Sequence, residues 1–153
     1  MDWAEIGILI SAIVAAASVG SLATKVYYQR KSTNPNIKVV VNEGFLGSGD
    51  SGYFRSEKMV FVEARNCGER TVSLNSDGFL MPDKKKIIIG NPSRDKNLPL
   101  ELSPEQSCKF WIEKETIIEG SKHYGYSGNV KIIGFYGDQV GRTYKSKPKK
   151  YEI

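Results

Sequence analysis

The chain has 153 residues, 40% hydrophobic and 25% charged, with 22 Lys and Arg against 17 Asp and Glu, a formal charge of +5 at pH 7. That length suits one domain, or one domain with an anchor, and excludes a TIM barrel, a two-domain dinucleotide enzyme and a multi-pass transporter. A single His and two Cys exclude most metal clusters and any disulfide-dense scaffold.

Residues 6–23 carry no charge. As a helix, this run would span about 27 Å, close to the roughly 30 Å of a bilayer's hydrocarbon core. Trp3 flanks it on one side and Tyr27 and Tyr28 on the other, the placement of interfacial aromatic belts. The segment opens with Asp2 and Glu5 and has no basic residue before Lys25, unlike a signal peptide. It also lacks the polar face of a core helix. The sequence therefore predicts one N-terminal transmembrane helix with its basic flank within residues 1–31, with Trp3, Ile6, Leu9, Ile13, Val19, Leu22, Tyr27 and Tyr28 meeting the bilayer. Lys25, Arg30 and Lys31 follow the run, and the positive-inside rule places that side in the cytoplasm and the short N-terminus outside. Small residues recur every four positions, at Ala12, Ala16, Gly20 and Thr24. Such a stripe lets two helices approach closely, which makes a homodimer through the anchor one expectation.

Residues 32–36, Ser-Thr-Asn-Pro-Asn, read as a linker. From residue 37 to 153 the pattern has period two. Ile37, Val39 and Val41 alternate with Lys38 and Asn42; Val60, Val62 and Ala64 with Phe61, Glu63 and Arg65; Val72 and Leu74 with Ser73 and Asn75. Cys108, Phe110 and Ile112 alternate with Lys109, Trp111 and Glu113, and Val130, Ile132, Gly134 and Tyr136 with Lys131, Ile133 and Phe135. Residues 86–89 and 98–102 read as short edge strands, and residues 113–122 as a short helix at a corner. Turn signals separate the runs, at Asn66-Cys-Gly68, Asp77-Gly78, Gly90-Asn-Pro92, Ser103-Pro104 and residues 137–141. About seven short strands in this length predict an all-β, antiparallel β-sandwich of immunoglobulin type.

Glu63-Ala-Arg-Asn-Cys-Gly-Glu-Arg-Thr-Val-Ser-Leu and Leu98-Pro-Leu-Glu-Leu-Ser-Pro-Glu-Gln-Ser-Cys-Lys-Phe resemble the strand corners of bacterial immunoglobulin-like modules related to the cell-adhesion type. The second motif has Glu105 where those modules carry Gly, so that turn is expected to differ. The closing Phe135-Tyr-Gly-Asp-Gln-Val-Gly-Arg-Thr-Tyr-Lys-Ser-Lys is similar to the final hairpin of small, N-terminally anchored bacterial proteins. The resemblance covers about residues 36–147 and implies a module that binds or spaces; it carries over no catalytic residue.

Motifs that carry chemistry fail on context. Gly47-Ser-Gly-Asp-Ser-Gly52 matches a dinucleotide fingerprint, but Tyr53-Phe-Arg55 and a strand follow where a helix is required. Gly49-Asp-Ser-Gly52 matches a serine-protease tetrapeptide, but the single His123 comes after the serine and stands in a loop-like run. No C-x-x-C or H-x-x-x-H unit exists, so no metal and no cofactor is expected, and the chain reads as a non-enzyme.

Cys67 and Cys108 are read either as neighbours held as thiols in the cytoplasm, with a disulfide only if the domain faces outward as an envelope or adhesion spacer, or as two unrelated small residues. The tail from Arg142 is basic. Its Lys145, Lys147, Lys149 and Lys150 are candidates for contact with anionic lipid or a partner protein, against the plain reading of a solvated edge strand. Tyr144 and Tyr151 leave base stacking open, as the lesser reading of a nucleic-acid ligand. Tyr124, Tyr126 and Tyr136 are candidate contact residues, with core packing an equal reading of Tyr136. Residues 43–53 and 137–141 are expected to form variable surface loops. The overall expectation is a single-pass protein presenting a β-sandwich at the cytoplasmic face, as a subunit or regulator of a membrane assembly.

Overall fold

The structure is a computed structural model that describes residues 35–47, 54–87 and 91–153, with 24–25. The expected anchor contacts, the stripe Ala12, Ala16 and Gly20, and the Gly/Ser run 48–53 lie outside the described residues. Pro35–Ile153 forms a compact unit.

Among the described residues this unit has ten strands and one helix. They are β1 (Ile37–Gly47), β2 (Phe54–Asn66), β3 (Val72–Leu80), β4 (Lys86–Ile87), β5 (Ser93–Arg94), β6 (Leu100–Leu102), β7 (Ser107–Glu113), α1 (Lys114–His123), β8 (Asn129–Asp138), β9 (Thr143–Lys145) and β10 (Lys149–Glu152). The fold is thus mostly β, as expected from the period-two pattern. One antiparallel sheet has the order β1-β2-β7-β5; the other has β10-β8-β3-β4, with β6 added to β3 and β9 to β8.

The alternation in each strand sorts side chains between core and surface. On β2, Val60, Val62 and Ala64 are fully buried, and on β7 Cys108 and Phe110 join them. Phe61 and Trp111 stand opposite each other in the β2–β7 register, with ring centroids 6.2 Å apart, a cross-strand aromatic pair. The second sheet contributes Leu74, Phe79, Ile132 and Tyr136 to the same core. Tyr136 is buried, so core packing and not surface contact accounts for it. Its hydroxyl donates to the Val62 carbonyl across the two sheets at 3.2 Å.

Two further links join the sheets. Arg94 on β5 donates Nε and Nη2 to the two carboxylate oxygens of buried Asp77 on β3, each at 2.9 Å. Such a bidentate pair combines charge with a fixed geometry. At Gly134 on β8, an added Cβ would lie 2.7 Å from a Val41 methyl and 2.8 Å from a Val62 methyl. The absence of a side chain there is what lets β1 and β2 settle onto β8.

The turns follow local chemistry. Buried Asn66 donates Nδ2 to the carbonyls of Arg70 (2.7 Å) and Leu102 (2.8 Å) and accepts from the Gly68 N–H (3.0 Å), tying the β2–β3 turn to β6. Glu105 has φ 64, so it adopts the left-handed conformation that Gly would take without strain. Helix α1 occupies the span expected to be helical. Ile117 and Ser121 share its buried face, and the Ser121 hydroxyl donates to the Ile117 carbonyl at 2.7 Å.

Two glycines give opposite expectations. Gly134→Ala overpacks the inter-sheet contact and is expected to lower unfolding free energy by about 1–3 kcal/mol. Gly120→Ala, on α1 where an added Cβ would meet open space, is expected to raise it by up to about 1 kcal/mol. Urea unfolding of the full chain in mild detergent measures both; equal effects would contradict the assigned packing.

Candidate functional site

Strand β1 is an edge strand: in the described residues it pairs with β2 and with no other strand. Ile37 and Val39 face the core, while Lys38 and Val40 face out, with Val40 37% exposed. Across the open side of the sandwich runs the β9–β10 segment. Phe135 pairs with Lys145 and Ile132 with Lys149, so four steps on one strand answer three on the other. The extra residue makes a bulge. Ser146 builds it: its N–H donates to the Gly134 carbonyl at 2.9 Å and its hydroxyl accepts from the Gly134 N–H at 3.0 Å. Pro148 has no N–H to offer the ladder.

Between β1 and this bulge lies an open groove of about 780 Å³, bounded by residues 36–41, Cys67, Lys145, Lys147, Pro148 and Lys149. The groove therefore gathers three of the four lysines expected to meet an anionic partner and adds Lys38, which the sequence reading did not single out. Lys150 is left out of it, standing opposite Lys131 in the β8–β10 register.

The lysines are not equivalent. Lys149 lies 3.2 Å from Glu43 of β1, and the same carboxylate is approached by Lys114 at 3.7 Å and Lys58 at 3.8 Å. Burial pulls the Glu43 carboxyl up, but the hydrogen bond and charge of Lys149 and the charges of Lys114 and Lys58 outweigh it, so its pKa is lowered. Among the described residues Lys38, Lys145 and Lys147 enter no ion pair. Their charge faces the groove and solvent. The Lys114 ammonium also sits 5.7 Å from the centroid of the Tyr151 ring.

Several expectations are corrected here. Cys67 and Cys108 are both free, the first exposed and the second buried. Cys108 pairs with Ala64, and Cys67 lies three residues further on, about 10 Å along an extended chain. The Cys67–Cys108 disulfide is therefore absent. Desolvation pushes the Cys108 thiol up to about 11, which makes it inert. Tyr151 is buried, so its ring offers no face for base stacking, and half-buried Tyr144 donates its hydroxyl to Asp138 at 2.8 Å. Residues 43–47 belong to β1 rather than to a loop. Tyr124 is exposed, at the end of α1, and His123 stands edge-on to it with ring centroids 5.6 Å apart.

A second cavity, of about 240 Å³, lies beneath α1 among Phe79, Met81, Ile87, Ile112 and Ile117. It is nearly all hydrocarbon and has little to orient a polar substrate. Among the described residues no group of three or more His, Cys, Asp or Glu could hold a metal ion.

The lowered Glu43 pKa gives a pH signature. A carboxyl depressed by folding contributes stability that is fully present above its unfolded value and is lost as pH falls through the folded one. The stability difference between the wild type and Glu43→Gln is thus expected to hold at neutral pH and to shrink below its ordinary value of 4.5. A difference constant from neutral pH to strong acid in urea titrations would contradict the lysine cluster.

No protein-family model matches the chain, and no curated protein matches it. A solved structure, described as the X-ray structure of Northeast Structural Genomics Consortium target SoR45, is similar over 76% of this chain and 86% of that chain, at 11% identity and a TM-score of 0.36.

Proposed function

We propose that this chain is a non-catalytic, single-pass membrane protein that presents an immunoglobulin-like sandwich at the cytoplasmic face, as a subunit or regulator of a membrane assembly. The observation that carries the reading is the lysine-lined groove at an unpaired sheet edge, a surface built for contact rather than for bond-making. The immunoglobulin-like assignment draws on sheet order. β1-β2-β7-β5 corresponds to the A-B-E-D sheet of that fold, and β10-β8-β3-β4 to the G-F-C sheet with one strand added.

The membrane part of the proposal draws on the uncharged run 6–23 and its aromatic flanks. Among the described residues no helix is long and apolar enough to cross a membrane, and that run lies outside them. The basic residues after the run favour a cytoplasmic domain. The outward-facing spacer loses its covalent brace, because the two cysteines are free. The anchor's Ala12, Ala16 and Gly20 supply a face for a homodimer, and Lys145, Lys147 and Lys150 an anionic contact beside the inner leaflet.

Cys67 is the exposed native thiol and reports the side directly. A membrane-impermeant maleimide applied to intact cells is expected to leave Cys67 unlabelled, and to label it after lysis, with Cys67→Ser as the blank. Labelling of Cys67 in intact cells would place the domain outside and overturn the orientation.

A further inference from the structure

We infer that the groove along β1 takes an extended, acidic polypeptide segment as an added strand of the first sheet. In an antiparallel ladder alternate residues turn both N–H and C=O away from their partner. On β1 those groups, over residues 36–41, face the groove, because β1 pairs with β2 alone among the described strands. The span is about 17 Å, the length of an extended segment of six residues.

The other edges are unsuited to this. At the far side of the first sheet β5 has two residues. The β9–β10 edge is broken by a bulge and by Pro148, devices that block pairing. β1, with 11 residues, carries neither device over residues 37–41.

Charge then selects the occupant. A strand added to β1 extends the first sheet over the β9–β10 segment of the second layer. Its inward side chains meet Lys145, Lys147 and Pro148, and its neighbour on β1 is Lys38. None of these three lysines enters an ion pair among the described residues, whereas Lys149 is held by Glu43. Carboxylates two residues apart on the inward face suit Lys145 and Lys147, because alternate residues of a strand share a face, while Lys38, which faces out, adds positive charge on the other face. A lipid headgroup would satisfy the lysines but not the row of main-chain donors and acceptors, so the geometry favours a polypeptide.

The inference rests on reading the domain as a binding module and is independent of which side of the membrane it occupies. The test is anisotropy titration of the purified full chain, in nonionic detergent, with a labelled, capped peptide of alternating Glu and Val. Binding is expected to weaken by about tenfold when Lys145 and Lys147 are both changed to Gln, in keeping with the loss of two partly exposed charge pairs. Methylating alternate peptide amides should weaken it by at least about as much, since it removes the main-chain pairing. Lys122→Gln, on α1 and outside the groove, should leave binding unchanged, and unaltered circular dichroism shows that each variant is folded. Equal binding of the methylated peptide would overturn the strand addition. So would no binding of the peptide alongside capture by phosphatidylserine vesicles that needs Lys145 and Lys147, which would assign the groove to lipid. Failure of the peptide with Cys67 still shielded in intact cells would remove this inference and leave the proposed topology standing.

Discussion

The two sheets come into close contact at Gly134, and the groove is arranged around that contact. A methyl group there would collide with Val41 of β1 and Val62 of β2, so the bare backbone sets how near the first sheet lies to β8. The same residue is the anchor of the opposite strand, since both its N–H and its carbonyl bond Ser146. Gly134 therefore positions β1 on one side and the bulge of β9–β10 on the other. The groove is the space left between them. Asp77 with Arg94 and Tyr136 with Val62 hold the layers together elsewhere, at sites where a buried polar group would be costly without a partner.

Much of this architecture was legible because a buried strand face writes itself as alternation. Val60, Val62 and Ala64, or Val130, Ile132 and Gly134, could be read as core-facing from their spacing alone, and α1 from a run without turn residues. What could not be read is long-range chemistry. Glu43 meets lysines from three separate elements, Lys58, Lys114 and Lys149, and nothing in the local sequence of any of them signals the meeting. The basic tail looked uniform, yet three of its lysines border a groove, one of these three is held by Glu43, and the fourth is directed elsewhere, because a single bulge shifts the register between Lys145 and Lys149. Glu105 departs from the Gly of the modules it resembles, yet takes the left-handed backbone that such a Gly would favour. The turn's backbone tolerates the change; the cost of about 1 kcal/mol for a side chain in that region is within what surrounding contacts can absorb. The proximity expected for Cys67 and Cys108 failed for a local reason: Asn66 ends β2 by turning its side chain inward to bond Arg70 and Leu102, and Cys67 follows on the exposed side.

Electrostatics and backbone pairing converge on one surface. Edge strands invite pairing, and proteins usually blunt them with prolines, bulges or charge. Here the β9–β10 edge is blunted in all three ways, while β1 beside it retains a regular ladder over residues 37–45. The charge that lines the groove is of one sign and, among the described residues, is not consumed by ion pairs at Lys38, Lys145 and Lys147. A fold that gathers Lys149, Lys114 and Lys58 around one carboxylate, yet leaves three neighbouring cations without an ion pair among the described residues, has a surface whose complement is an acidic chain.

The account depends on the outer edge of β1 being free. Residue-resolved hydrogen exchange of the full chain in mild detergent measures that directly. Alternate amides of β1 over residues 37–41, those not bonded to β2, are expected to exchange within the fast regime of solvent-exposed groups, while amides of β2, β3 and β8 remain protected to the level of global unfolding. Protection of the outward β1 amides as strong as that of β2 would mean that the edge is already paired, and would contradict the groove as a binding surface.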